Sequence, residues 1–92
     1  MSSNVSHFTT AQFWELYSQL PQEIQYLADK NYELLRNSPR HPSLHFKRVS
    51  GLWSVRVGRN FRALGFDETQ GIVWFWIGTH EEYNKILKDN PL

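Results

Sequence analysis

The chain's best acid/base side chain follows its most apolar segment. Trp74-Phe75-Trp76-Ile77-Gly78-Thr79 leads straight into His80, with Glu81, Glu82 and Tyr83 behind it. An imidazole changes charge close to neutral pH, so a histidine held at a strand end can give or take a proton there. If His80 opens a helix, the positive end of the dipole disfavours its charged form, while Glu81 and Glu82 push the other way. Arg56 and Arg62 bring a different capability. Arginine does not lose its proton in a protein, but its planar fork matches a phosphate group.

These arginines belong to a wider asymmetry. From Lys47 to Arg62 the cations are Lys47, Arg48, Arg56, Arg59 and Arg62, with no acidic residue between them. The net charge is only +1, because the carboxylates lie at Glu15 to Glu33 and Asp67 to Asp89. Such a distribution fits a basic surface for a polyanion, or a solvated strand face.

Other chemistries find little support. No cysteine is present, which removes disulfides, a thiol nucleophile and thiolate metal sites. His41 and His45 are four apart, but Pro42 breaks the helix that would align them, so no zinc site is expected. His7 reads as a strand or surface residue. The sequential pairs Asp67-Glu68 and Glu81-Glu82 fall in turn and helix-start contexts, and no glycine-rich phosphate loop occurs. No apolar run reaches the ~20 residues of a membrane span, and Met1-Ser2-Ser3-Asn4 lacks the features of a signal peptide. A cytoplasmic protein of one domain, residues 1–92, is expected.

The elements that must position these groups can be read from periodicity. Thr9 or Thr10 can cap a first helix in which Phe13, Leu16, Tyr17 and Leu20 recur at helical spacing. Pro21 fits the first turn of a second helix, whose buried stripe is Ile24, Leu27, Ala28 and Leu35. Asn37-Ser38-Pro39 ends that helix, and Pro42 opposes a quick restart. The period then changes to 2. Leu44 to Val49 reads as a strand, Ser50-Gly51 as a tight turn, and Trp53, Val55 and Val57 as the apolar face of a second strand.

Alternation sets Arg56 on the opposite face. Arg59-Asn60 reads as a turn, Phe61 to Phe66 as a strand, and Asp67 to Gly71 as a longer turn. Ile72 to Ile77 is apolar on both faces, as a central covered strand should be. Trp74 and Trp76, two apart, are expected on one strand face, either as core or as stacking platforms. His7 and Phe8 can add a short first strand. Thr79-His80-Glu81-Glu82 has the form of a capping box opening a terminal helix with Tyr83, Ile86 and Leu87 on one side. The expected class is α+β: an N-terminal helical hairpin packed on a curved, mainly antiparallel sheet with a short C-terminal helix.

In this order and spacing, "LHFKRVSGLWSVRVGRNFRALGF" followed by "GIVWFWIGTHEEYNKIL" resembles the RelE/ParE superfamily of bacterial type II toxins. The likeness spans roughly residues 9 to 88. It is most specific in Trp53-Ser54-Val55-Arg56-Val57 with Phe61-Arg62-Ala63-Leu64, and in Gly78-Thr79-His80-x-x-Tyr83. What it implies is a toxin neutralised by a small antitoxin, and for the RelE-like branch a metal-independent, ribosome-dependent endoribonuclease cleaving mRNA. A second branch of similar fold poisons DNA gyrase instead, and an inactive toxin-fold binding module is a third reading.

The resemblance sets Arg56 at a basic position of the hairpin and Arg62 at the arginine after the next strand's aromatic residue. It sets His80 at an acid/base histidine and Tyr83 near a late aromatic used for stacking or proton transfer. Cleavage through the 2′-hydroxyl needs a base, an acid, and cations for the charge building on phosphoryl oxygens. Arg56, Arg62, His80 and Tyr83 are the implied catalytic set, although Tyr83 could equally bury its ring. Lys47, Arg48 and Arg59 are read as RNA contacts rather than chemistry. Expected partners are the antitoxin, mRNA and the ribosome, with no membrane and no cofactor.

Overall fold

A computed structural model describes residues 5–89. Strand β1 (Ser6–Thr9) leads into helix α1 (Ala11–Ser18) and helix α2 (Gln22–Asn37). Strands β2 (Lys47–Val49), β3 (Leu52–Val57), β4 (Phe61–Glu68) and β5 (Gly71–Thr79) follow, and helix α3 (His80–Asp89) closes the described chain. The sheet runs β1-β5-β4-β3-β2, antiparallel throughout except for the parallel β1–β5 pair. This is the expected α+β arrangement, and β5 lies inside the sheet as its two-sided apolarity requires.

Local chemistry accounts for the boundaries. Thr10 caps α1 by accepting the Phe13 amide at 3.1 Å, while Thr9 accepts the Trp14 indole N–H at 2.7 Å. Pro21 stands just before α2, and its carbonyl accepts the Ile24 and Gln25 amides. The helices are tied together by the Tyr17 hydroxyl on Asp29, 2.7 Å, and by the Gln25 amide on the Tyr17 carbonyl. Ser50 and Gly51 both take positive φ, 51° and 79°, matching the mirror-image turn that suits a twisted hairpin.

Three expectations are corrected. The segment Leu44 to Val49 is not one strand: Pro42–Leu44 forms a 3₁₀ turn, His45 adopts a left-handed conformation, and β2 begins only at Lys47. Proline is tolerated at the start of such a turn because the amide it lacks would have no partner there. Leu44 drops from this turn into full burial.

The turn after β4 is also shorter than expected. Asp67 and Glu68 pair with Ile72 and Gly71, so the connection shrinks to Thr69-Gln70. Finally, Trp74 and Trp76 lie on opposite faces. Leu64 pairs with Trp76 and Gly65 with Trp74, which leaves Phe75 as an extra residue in β5. A bulge of this kind breaks the two-residue alternation.

That bulge divides the core. Trp74 joins Leu35, Leu44, Val55, Val57, Ala63, Ile72 and Ile77 beneath α1 and α2. Trp76 joins Leu64 and Tyr83 on the other face, with Ile86 and Leu87 of α3 packed against them. Gly65 is required where the tryptophan crosses: a Cβ there would lie 2.8 Å from Ile72 Cγ2 and 2.9 Å from Trp74 Cε3. The edge strand β1 is held partly by a side chain, since the Trp74 indole donates to His7 Nδ1 at 3.1 Å.

Burial first, and Arg36 second, lower the His7 pKa below its ordinary value. The fold therefore prefers the neutral imidazole, and the unfolded chain binds the proton more readily. This contribution is complete above the unfolded pKa near 6.5 and declines as pH falls through the lower folded value. Melting temperatures taken from pH 8 down to pH 5 should therefore drop more steeply for wild type than for His7→Gln. Parallel curves would refute the linkage.

Candidate active site

The outer face of the sheet carries Arg56 and Arg62, because β3 and β4 pair with these two residues directly across from each other. Ser54 and Leu64 are the next pair on this face, and Lys47 on β2 pairs with Ser54. Helix α3 covers the Ser54–Leu64 end through Tyr83 and leaves the arginines at its margin. Opposite Arg62 on β5 stands Gly78, where a Cβ would come within 2.6 Å of the Trp76 ring and 2.8 Å of Glu82 Oε1. Only a residue without a side chain lets the indole and the helix start approach the strand there.

His80 is the exposed first residue of α3. Its backbone N–H donates to the Asn60 carbonyl at 2.8 Å, tying the helix start to the β3–β4 turn that carries Arg59. The capping box forms as expected. Thr79 Oγ1 accepts the Glu82 amide and donates to Glu82 Oε1, which also accepts the Thr79 amide, all within 3.1–3.2 Å. Glu82 is thereby committed to the cap. His80 stacks on Tyr83 with ring centroids 5.8 Å apart and planes 25° apart.

Tyr83 itself is 6% exposed. Its hydroxyl shares a 2.9 Å hydrogen bond with Ser54 Oγ, a side chain only 2% exposed. The ring is a floor beneath His80. Tyr83→Phe should cost about 1–3 kcal/mol, because it strands a buried hydroxyl. Adding Ser54→Ala should recover much of that loss. A urea-denaturation cycle checks this, and additive losses would contradict the pairing.

The arginines are held by backbone, not by carboxylates. Arg56 Nε donates to the Gly58 carbonyl at 3.2 Å, and Arg62 Nη1 donates to the carbonyls of Phe61 at 2.8 Å and Arg59 at 3.3 Å. Among the described residues neither forms an ion pair; the two that occur are Arg36–Glu33 and Arg48–Asp67. Burial, then the like charge of Arg56, lowers the Arg62 pKa, with Tyr83 opposing them. The guanidinium stays charged, so the two forks form a site short of negative charge.

The remaining basic residues divide. Lys47 shares the face of Arg56, whereas Arg48 pairs with Trp53 and lies on the other side. Its guanidinium stacks 4.1 Å from the Trp53 ring centroid and bonds Asp67 and the Gly51 carbonyl. Two residues at the site escaped sequence reasoning. Asn31 of α2 donates to the Arg56 carbonyl at 2.8 Å, fixing the backbone beneath that arginine. His45 Nε2 lies 3.1 Å from Arg56 Nη1. Neither sits in a periodic pattern that points to the site. Among the described residues no group of three or more His, Cys, Asp or Glu side chains gathers as a metal site would, and no helix is long and apolar enough to cross a membrane.

Comparison with known proteins agrees with this architecture. A chain of the RelB–RelE antitoxin–toxin complex from Methanococcus jannaschii superposes with a TM-score of 0.67 at 16% identity, covering 86% of this chain and 96% of that one. YafQ from Escherichia coli strain BL21(DE3) gives a TM-score of 0.65 at 14% identity, covering 86% and 97%. The RelBE2 toxin–antitoxin complex from Mycobacterium tuberculosis gives 0.60 at 17%, covering 84% and 99%. At these identities the likeness is one of fold. Curated protein sequences give no match. The family model described as "ParE-like toxin domain" matches residues 22–85, from α2 through the arginine strands to α3. The chain belongs to the ParE-like toxin domain family, within the RelE/ParE superfamily.

Proposed function

We propose that this protein is the toxin of a toxin–antitoxin pair and acts as a metal-independent, ribosome-dependent endoribonuclease on mRNA. The observation that carries this reading is the Arg56–Arg62 cross-strand pair, without a carboxylate partner among the described residues and with His80 at its rim. Two planar cations can hold the nonbridging oxygens of a phosphodiester and stabilise the charge that grows there during displacement. His80 supplies a proton-transfer group, and the buried Tyr83 ring orients it. Lys47 and Arg59 extend the positive surface along the message or the ribosomal RNA, while Arg48 contributes less because Asp67 already neutralises it.

An antitoxin partner is supported by the neighbours described as complexes with RelB or DinJ. The large exposed apolar side chains Trp14, Tyr26 and Tyr32 lie on the helical hairpin and offer it surface to bury.

The test is a cell-free translation reaction with wild-type and His80→Ala protein, mapping new mRNA 5′ ends. New ends in translated messages, appearing about 10²–10⁴-fold more slowly in the variant, support the nuclease. Intact messages from a protein that arrests growth would overturn it, and cleaved DNA–gyrase complexes would then identify the alternative target.

A further inference from the structure

The proposed cleavage needs two proton-transfer groups; of the two expected candidates His80 is exposed at the site, whereas the Tyr83 hydroxyl is buried against Ser54. The fold supplies a second from an unexpected place. After the Pro42–Leu44 turn, His45 takes φ 45°, a conformation that histidine tolerates better than most residues. Leu44 is fully buried on one side of it, and the His45 amide donates to the Pro42 carbonyl at 3.3 Å. The backbone at His45 is thus anchored, while its side chain is exposed beside Arg56.

The polarity of the 3.1 Å contact matters. Arg56 Nη1 can only donate, so His45 Nε2 must accept, and the imidazole proton resides on Nδ1. An unprotonated ring nitrogen therefore faces the arginine that the nuclease reading assigns to the phosphate.

We infer that His45 is the general base of the cleavage, its lone pair capped by Arg56 until the substrate phosphate arrives. This rests on the nuclease reading and adds to it the missing half of the proton transfer. A phosphodiester offers Arg56 anionic oxygens in place of one neutral nitrogen, and such charge-assisted bonds are the stronger. Arg56 turns to the phosphate and leaves Nε2 free in the same event. Nε2 then takes the proton of the 2′-hydroxyl, and the 2′-oxygen bonds to phosphorus. The bond from phosphorus to the 5′-oxygen breaks, and His80 protonates the departing oxygen. The products are a 2′,3′-cyclic phosphate and a 5′-hydroxyl, with no oxidant, reductant or further reactant.

The decisive measurement is single-turnover cleavage on ribosomes programmed with two versions of one message: a normal one, and one carrying sulfur in place of the 5′-bridging oxygen at the cut site. A sulfur leaving group departs without protonation. His45→Gln keeps an acceptor for Arg56 but cannot serve as the base, and His45→Asn is a second variant suited to the left-handed backbone. Both should cut the normal message about 10²–10⁴-fold more slowly than wild type. His80→Ala should recover on the sulfur message, whereas neither His45 variant should. His45 variants that cut like wild type, or that are rescued by sulfur as His80→Ala is, would overturn the assignment while leaving the nuclease standing. Wild-type protein that leaves both messages intact would remove the nuclease reading and this assignment together.

Discussion

Trp74→Ala should cost about 3–5 kcal/mol of folding stability, a large fraction of the about 5–15 kcal/mol that a folded domain holds in reserve. The indole is 4% exposed among the residues beneath the helices. It stands where Gly65 has no side chain, and its N–H is the donor that ties His7 of β1 to the sheet. Truncation therefore opens a cavity and loosens the parallel edge strand together. Phe66→Ala is the matched control: Phe66 is 37% exposed, and its loss should cost well under half as much. Urea midpoints for both proteins check the contrast. Equal losses would mean that the bulge does not direct Trp74 into the core.

This tryptophan also marks where the sequence stops being legible. Helices, their caps and the order of strands follow from period and punctuation: Thr10, Pro21 and the Thr79/Glu82 box act locally, and each does in the structure what its spacing implies. The pairing of Arg56 with Arg62 follows from a short turn between alternating strands. The bulge at Phe75 does not, because every residue of β5 near it is apolar and either register buries apolar rings. It is settled by the space over Gly65, a contact between strands.

His45 was hidden for a related reason. Its approach to Arg56 depends on one left-handed residue after a 3₁₀ turn, where no periodicity operates and where Leu44 to Val49 alone reads as a continuous strand. Ser54, polar in sequence, is buried because a helix far along the chain brings Tyr83 to it.

Arg62→Ala should slow message cleavage by about 10²–10³-fold, the usual loss when one preorganised donor to a transition-state oxyanion is removed. The side chain is positioned before substrate arrives: its Nη1 bonds two carbonyls of its own turn, and partial burial discourages its solvation by water. Those carbonyls occupy one edge of the fork and leave other N–H groups for phosphate. Arg62→Lys should recover only part of the loss, because an ammonium keeps the charge but cannot present two parallel donors.

Arg56 stands directly across and supplies the like charge that Arg62 feels. If both forks hold one phosphate, Arg56→Ala and Arg62→Ala should be non-additive in cleavage rate. The double variant should then be much less impaired than the product of the single effects. Folding should barely register the change, since each guanidinium is bound to backbone carbonyls and neither closes an ion pair among the described residues. Removing one of two neighbouring positive charges should leave the melting temperature equal to that of wild type or slightly above it. A cleavage defect accompanied by a large loss of stability would make the arginine pair a structural feature instead of a phosphate clamp.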